Sequence, residues 1–237
     1  QLIQVTALTL AIGVISILSH AQDEPTEEAV AASPWTQADT KLANHYIRLL
    51  EKNPEYGNVL DQLWNLYEKK SQTELLLNYF ESASNPGNAT AVAVLIHAHL
   101  LRKSDNVDAA RAAYDRVTDL EPDNIPALLA LAEIADLQKR SSKALSLYTR
   151  LIEKLPADSE EGLAIRLRKA TLNQQLGQLD TAIGIWKELL SAYPDKPALR
   201  TEIVSLLLES GETETAISVL TDLSESGAPR QQINALI

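Results

Sequence analysis

The sequence predicts an all-α fold, a superhelical solenoid of about five repeated helical hairpins behind a leading helix. Three observations carry this. Leu and Ala dominate a chain of 237 residues that holds only 8 glycines and 5% aromatic residues, a balance favouring helix over strand. From about Asp39 onward, apolar residues recur at helical spacing. The set Ala110, Tyr114, Val117 and Pro122 returns 34 residues later as Ala144, Tyr148, Leu151 and Pro156.

The elements follow in chain order. Val5 to Leu18 is an uncharged, almost wholly apolar stretch, and Ser19-His20-Ala21 follows it. Small residues at 19 and 21 form the pattern that signal peptidase accepts, so residues 1–21 are expected to be a cleaved export signal. The run is about 14 residues, short of the roughly 20 that span a bilayer. The chain is accordingly expected to be periplasmic or extracellular, with membrane contact only if this segment stays uncleaved as an anchor. Residues 22–38 carry Pro25, Pro34, four acids and no base, and read as an acidic linker.

A leading helix is expected over 39–53, with Leu42, Tyr46, Leu49 and Pro54 at the repeat spacing, which makes it the second half of a hairpin. Hairpins are then expected at about 57–88, 91–124, 125–158, 163–196 and 197–230. Trp64 and Tyr67 open the first, which closes around Phe80 and Ala83. Leu128, Leu131, Ala132 and Ala135 give the large-large-small-large pattern of the third hairpin's first helix. Ala182, Trp186, Leu189 and Pro194 repeat the second-helix pattern after a 38-residue step, and Ala216, Leu220 and Leu223 repeat it again, with Pro229 one place late. Gly177 and Gly211 precede the second helices, where a chain leaving a helix favours a left-handed residue. The last residues, QQINALI, read as the start of another first helix, so the array is expected to continue past residue 237.

Each position has a physical role. The small alanines at 110, 144, 182 and 216 let two antiparallel helices approach closely. The aromatic four residues on lies on the same helical face and fills the gap beside them. Proline ends the second helix, because it lacks an N–H and disfavours helix in the residue before it. One hairpin alone buries too little apolar surface to offset its ordering, so the units must stack.

This pattern resembles the tetratricopeptide repeat family over roughly residues 39–237. The resemblance implies a non-enzymatic scaffold whose first helices line a concave groove that binds a peptide or helix of a protein partner. The positions it implies for partner contact are Asn58, Asp61, Asn65, Glu68 and Lys69 in the first hairpin. They are Val92, Leu95, His99, Arg102 and Lys103 in the second, and Pro126, Leu129, Glu133, Asp136 and Leu137 in the third. In the fourth they are Ala164, Leu167, Thr171, Gln174 and Gln175. This lining predicts apolar patches, a basic spot at 102–103 and an acidic spot at 133 and 136. Asp61 and Asn65 stand where family members that clamp a C-terminal carboxylate place Lys and Asn; the charge is wrong for that task. The alternative is the non-catalytic repeat region of a larger exported enzyme.

Nothing in the residues points to chemistry. No cysteine is present, which excludes disulfides and thiolate metal sites. Histidines stand at 20, 45, 97 and 99. His97 and His99 are two apart, so on a helix they diverge and cannot share a metal. His97 falls at a packing position and His99 on the inner face. Gly-rich phosphate loops and nucleophile or zinc motifs are absent, and Glu160-Glu161 reads as loop charge. No catalytic residue, metal or cofactor is expected. A net charge of -11 with no basic stripe argues against nucleic acid as a partner.

Overall fold

The structure is a computed structural model that describes residues 34–225 apart from 86, 88 and 157. The expected export signal at 1–21, most of the expected linker and the final QQINALI lie outside the described residues. Among the described residues there are eleven α-helices and no strands. They are α1 (Gln37–Lys52), α2 (Asn58–Glu68), α3 (Thr73–Ala83), α4 (Ala91–Lys103), α5 (Val107–Leu120) and α6 (Ile125–Leu137). Then come α7 (Ser141–Lys154), α8 (Glu160–Gln175), α9 (Leu179–Ala192), α10 (Pro197–Glu209) and α11 (Thr213–Glu225). Consecutive helices pack on one another throughout, which makes the molecule an α-helical solenoid.

Local chemistry sets the helix starts. α1 begins two residues before the expected Asp39, because Thr36 and Asp39 form a capping box. The Asp39 N–H donates to Thr36 Oγ1 at 3.1 Å, and the Thr36 N–H donates to the Asp39 carboxylate at 2.8 Å. That backbone donor, with Lys70 3.0 Å away, holds the Asp39 carboxyl down to about 2. The expected linker is therefore anchored at its end: Trp35 packs on Tyr67 with ring centroids 4.8 Å apart, and Lys70 donates to the Pro34 carbonyl. α8 begins at Glu160, three residues before the expected 163, because Ser159 caps it by accepting from the Gly162 N–H at 3.0 Å. Glu160 and Glu161, expected in a loop, thus sit in a helix's first turn, where the helix dipole favours acids.

The turn between the helices of a hairpin recurs in detail. Ser71, Asp105, Lys139, Gly177 and Gly211 have φ of 53°, 61°, 57°, 75° and 79°. They follow one another at steps of 34, 34, 38 and 34 residues. The last two are glycine, to which this region is open; the other three hold a side chain in it, at about 1–2 kcal/mol each.

Side-chain size sets how closely a hairpin closes. Seven residues before the left-handed position stand Ala98, Ala132, Ala170 and Val204, and five after it stand Ala110, Ala144, Ala182 and Ala216; all are fully buried. In the first hairpin those two places hold Trp64 and Leu76, and α2 and α3 approach each other far less than α4 and α5 do. Bulk at the crossing separates helices. The core runs as three joined clusters, over residues 43–100, 91–172 and 163–216. α4 contributes to the first two and α8 to the last two, so each hairpin is stabilised by its neighbours.

Candidate partner-binding face

Side-chain bonds link each first helix to the next, which places α2, α4, α6, α8 and α10 side by side along one face. Lys103 of α4 pairs with Asp61 of α2. Arg102 Nη1 of α4 lies 2.8 Å from Glu133 of α6. Arg168 of α8 donates from Nε and Nη2 to the two carboxylate oxygens of Asp136 on α6, at 2.5 and 2.7 Å. Gln174 Nε2 donates to Ser210 Oγ at the end of α10, at 2.6 Å. At three of the five left-handed turns the third residue before the turn (Arg102, Asp136, Gln174) reaches to the following first helix, whereas Glu68, at the same place before Ser71, accepts from Trp64 of its own helix.

Tyrosines of the repeat pattern lie beneath this ladder. Burial raises the Tyr148 hydroxyl to about 12, and the neighbouring Asp136 carboxylate adds to it. Burial likewise raises Tyr114, whose hydroxyl lies 2.6 Å from His99 Nδ1. His99 Nε2 is 3.1 Å from the Pro54 carbonyl, which can only accept, so Nε2 carries the proton and Nδ1 accepts from Tyr114. Tyr56 closes over the site: its ring meets the His99 ring at 5.5 Å, and the Arg102 guanidinium lies over it at 4.9 Å. Burial lowers the His99 pKa to about 4.

These positions correct parts of the expected groove. Val92, Arg102, Lys103, Leu129, Glu133, Leu167, Thr171 and Gln174 are half-buried, with part of their surface open. Leu95 and His99, each 1% exposed, are not open to a partner. α4 is buried without a break from Val94 to Leu100, because α1 and α3 pack on it as well as α5, and the α1–α2 loop lies over His99. Asp136, 8% exposed, is committed to Arg168. The expected basic spot at 102–103 and acidic spot at 133 and 136 are not free charge, since every member is ion-paired across helices. His97 is buried too, with Nδ1 lacking a hydrogen-bond partner, and burial lowers its pKa.

Three participants escaped the sequence reading: Tyr56, Arg168 and Ser210. No sequence signal marks them, because each is defined by a contact 32 to 46 residues away along the chain. Leu137 stands out once the charges are paired. It ends α6 at 75% exposure, the largest among the exposed large apolar side chains described. Among the described residues, no group of three or more His, Cys, Asp or Glu is arranged to hold a metal ion.

Comparison with known proteins fits this geometry. Residues 97–159 and 165–196 match family models for the tetratricopeptide repeat. The chain is 31% identical over 128 residues to the Protein CTR9 homolog of Arabidopsis thaliana, a match covering 54% of this chain and 12% of that protein. The chain thus spans only about an eighth of that relative's length. A solved structure of MamA (AMB-1) superposes with a TM-score of 0.55 at 17% identity, covering 80% of this chain and 95% of that one. MamA 41-end from Desulfovibrio magneticus RS-1 gives a TM-score of 0.54 at 14% identity, covering 78% and 94%. At such identities the superpositions speak to the fold.

Proposed function

This chain is a tetratricopeptide-repeat protein, and on that premise we propose that it is a non-enzymatic protein–protein interaction scaffold, taking a peptide or helix along its first-helix face. Folds of this kind typically serve as scaffolds without catalysis. The observation that carries the finer reading is the contrast on that face between paired charges and the bare Leu137. Half-buried Leu129 and Leu167 lie at matching places one hairpin apart on the same face. A partner segment suited to it presents an apolar side chain to Leu137, flanked by polar groups that meet the ladder without having to break it. A strongly charged segment would gain little, because its counter-charges are already taken.

Selection of peptides from a displayed random library against the wild-type chain, followed by titration against the L137D variant, tests this. Loss of about tenfold or more in affinity is expected where an exposed apolar anchor is removed. Peptides that bind L137D as tightly as the wild type overturn the assignment. For placement, the apolar run and the small residues at 19 and 21 support export with cleavage after Ala21. An exported product whose intact mass begins at Gln1 would overturn that part.

A further inference from the structure

We propose that the crevice between the second helices α5 and α7 is a binding site for a single oxyanion, a carboxylate or phosphate group. The crevice encloses about 190 Å³, room for either group with accompanying water. Arg111 and Asp115 of α5 line one wall, and Arg140 and Lys143 line the other, at the start of α7. Leu131 and Ala135 of α6, both in the core, form an apolar floor. Three cations thus converge with one carboxylate, in a chain whose net charge is -11.

The cations are weakly occupied. Arg111 has only a loose ion pair within its own helix, Nη2 to Asp108 at 3.6 Å. Its Nε is buried and has no hydrogen-bond partner. The Arg111 side chain is 37% exposed, so an oxyanion in the crevice would give its guanidinium the close counter-charge that Asp108 does not supply. Arg140 reaches only the neutral side chain of Gln138, and Lys143 forms no ion pair among the described residues. On the first-helix face, by contrast, Arg102, Lys103 and Arg168 each have a carboxylate.

The charge is not a by-product of the repeat. One hairpin onward the equivalent places hold Leu145, Thr149, Gln178 and Thr181, and one hairpin back they hold Leu77, Glu81, Asn106 and Ala109. Scaffold geometry recurs in those crevices, but the cations do not. None of the four charged groups here takes part in the inter-helix ladder, so the site is independent of partner binding at Leu137.

The experiment follows the Arg111 Nε–H resonance of the full chain by nitrogen–proton correlation NMR. Inorganic phosphate is titrated in one arm and acetate in another, at ionic strength held constant with chloride. A saturable shift is expected with a Kd on the order of 1–10 mM, the range for one exposed ion with a few charge-assisted bonds. In the R140Q/K143Q double variant, whose changes are at exposed positions that leave the core intact, the same titration should weaken by about tenfold. Saturation by phosphate alone assigns the site to phosphate-bearing ligands, and saturation by acetate as well extends it to carboxylates. A shift that fails to saturate, or that is unchanged in the double variant, overturns the proposal and leaves water as the occupant.

Discussion

Lowering the pH from 7 to 5 probes the buried imidazole at the head of the first-helix face. His99 titrates at about 4 in the folded chain against an ordinary 6.5, because burial disfavours its charged form. The sign follows from the direction. The fold prefers neutral His99, so its contribution is fully present above 6.5, declines as pH falls towards 4, and is constant below that. The whole shift corresponds to a ceiling of about 3 kcal/mol, of which about 2 kcal/mol is lost between pH 7 and pH 5. Urea unfolding followed by circular dichroism at pH 7, 6 and 5 measures it, with H99Q as the reference. Glutamine can still donate towards Pro54 and accept from Tyr114, yet it does not titrate. The wild type should lose about 2 kcal/mol more than H99Q over that interval. Parallel pH dependences would refute the reasoning, as would an NMR titration placing His99 near 6.5 in the folded chain.

Further outcomes follow from the same contacts. A144L should destabilise by about 1–3 kcal/mol in thermal or urea unfolding, because Ala144 is fully buried where two helices close. K139G should raise stability by about 0.5–1.5 kcal/mol, since Lys139 holds φ at 57°, while G211A, at φ 79°, should lower it by about 1–2 kcal/mol. D136N should cost about 1.5–3 kcal/mol by weakening a two-bond link between α6 and α8, and a double-mutant cycle with R168M should recover most of that as coupling. Arg168 is 40% exposed on its side chain, so water screens part of the interaction and keeps the figure below that of a fully buried pair.

By itself, the sequence determined the helices, their order and the repeat. Those depend on local rules: apolar spacing, small residues at the crossing, and glycine or proline at turns, all visible within a single 34-residue unit. Gly177 and Gly211 mark the left-handed turn in sequence, whereas Ser71, Asp105 and Lys139 adopt it unmarked, because packing of both flanking helices imposes a conformation the side chain opposes. Tertiary structure decided which face residues are free. Arg102, Lys103, Glu133 and Asp136 look in sequence like solvated charge, and only the stacking of first helices brings each to a carboxylate or cation 31 to 42 residues away. His99 looks like a surface contact until Pro54 and Tyr56 of the distant α1–α2 loop lie over it. Helical periodicity assigns a side chain to a face; what covers that face depends on distant chain, so burial and charge pairing were set by the assembled array.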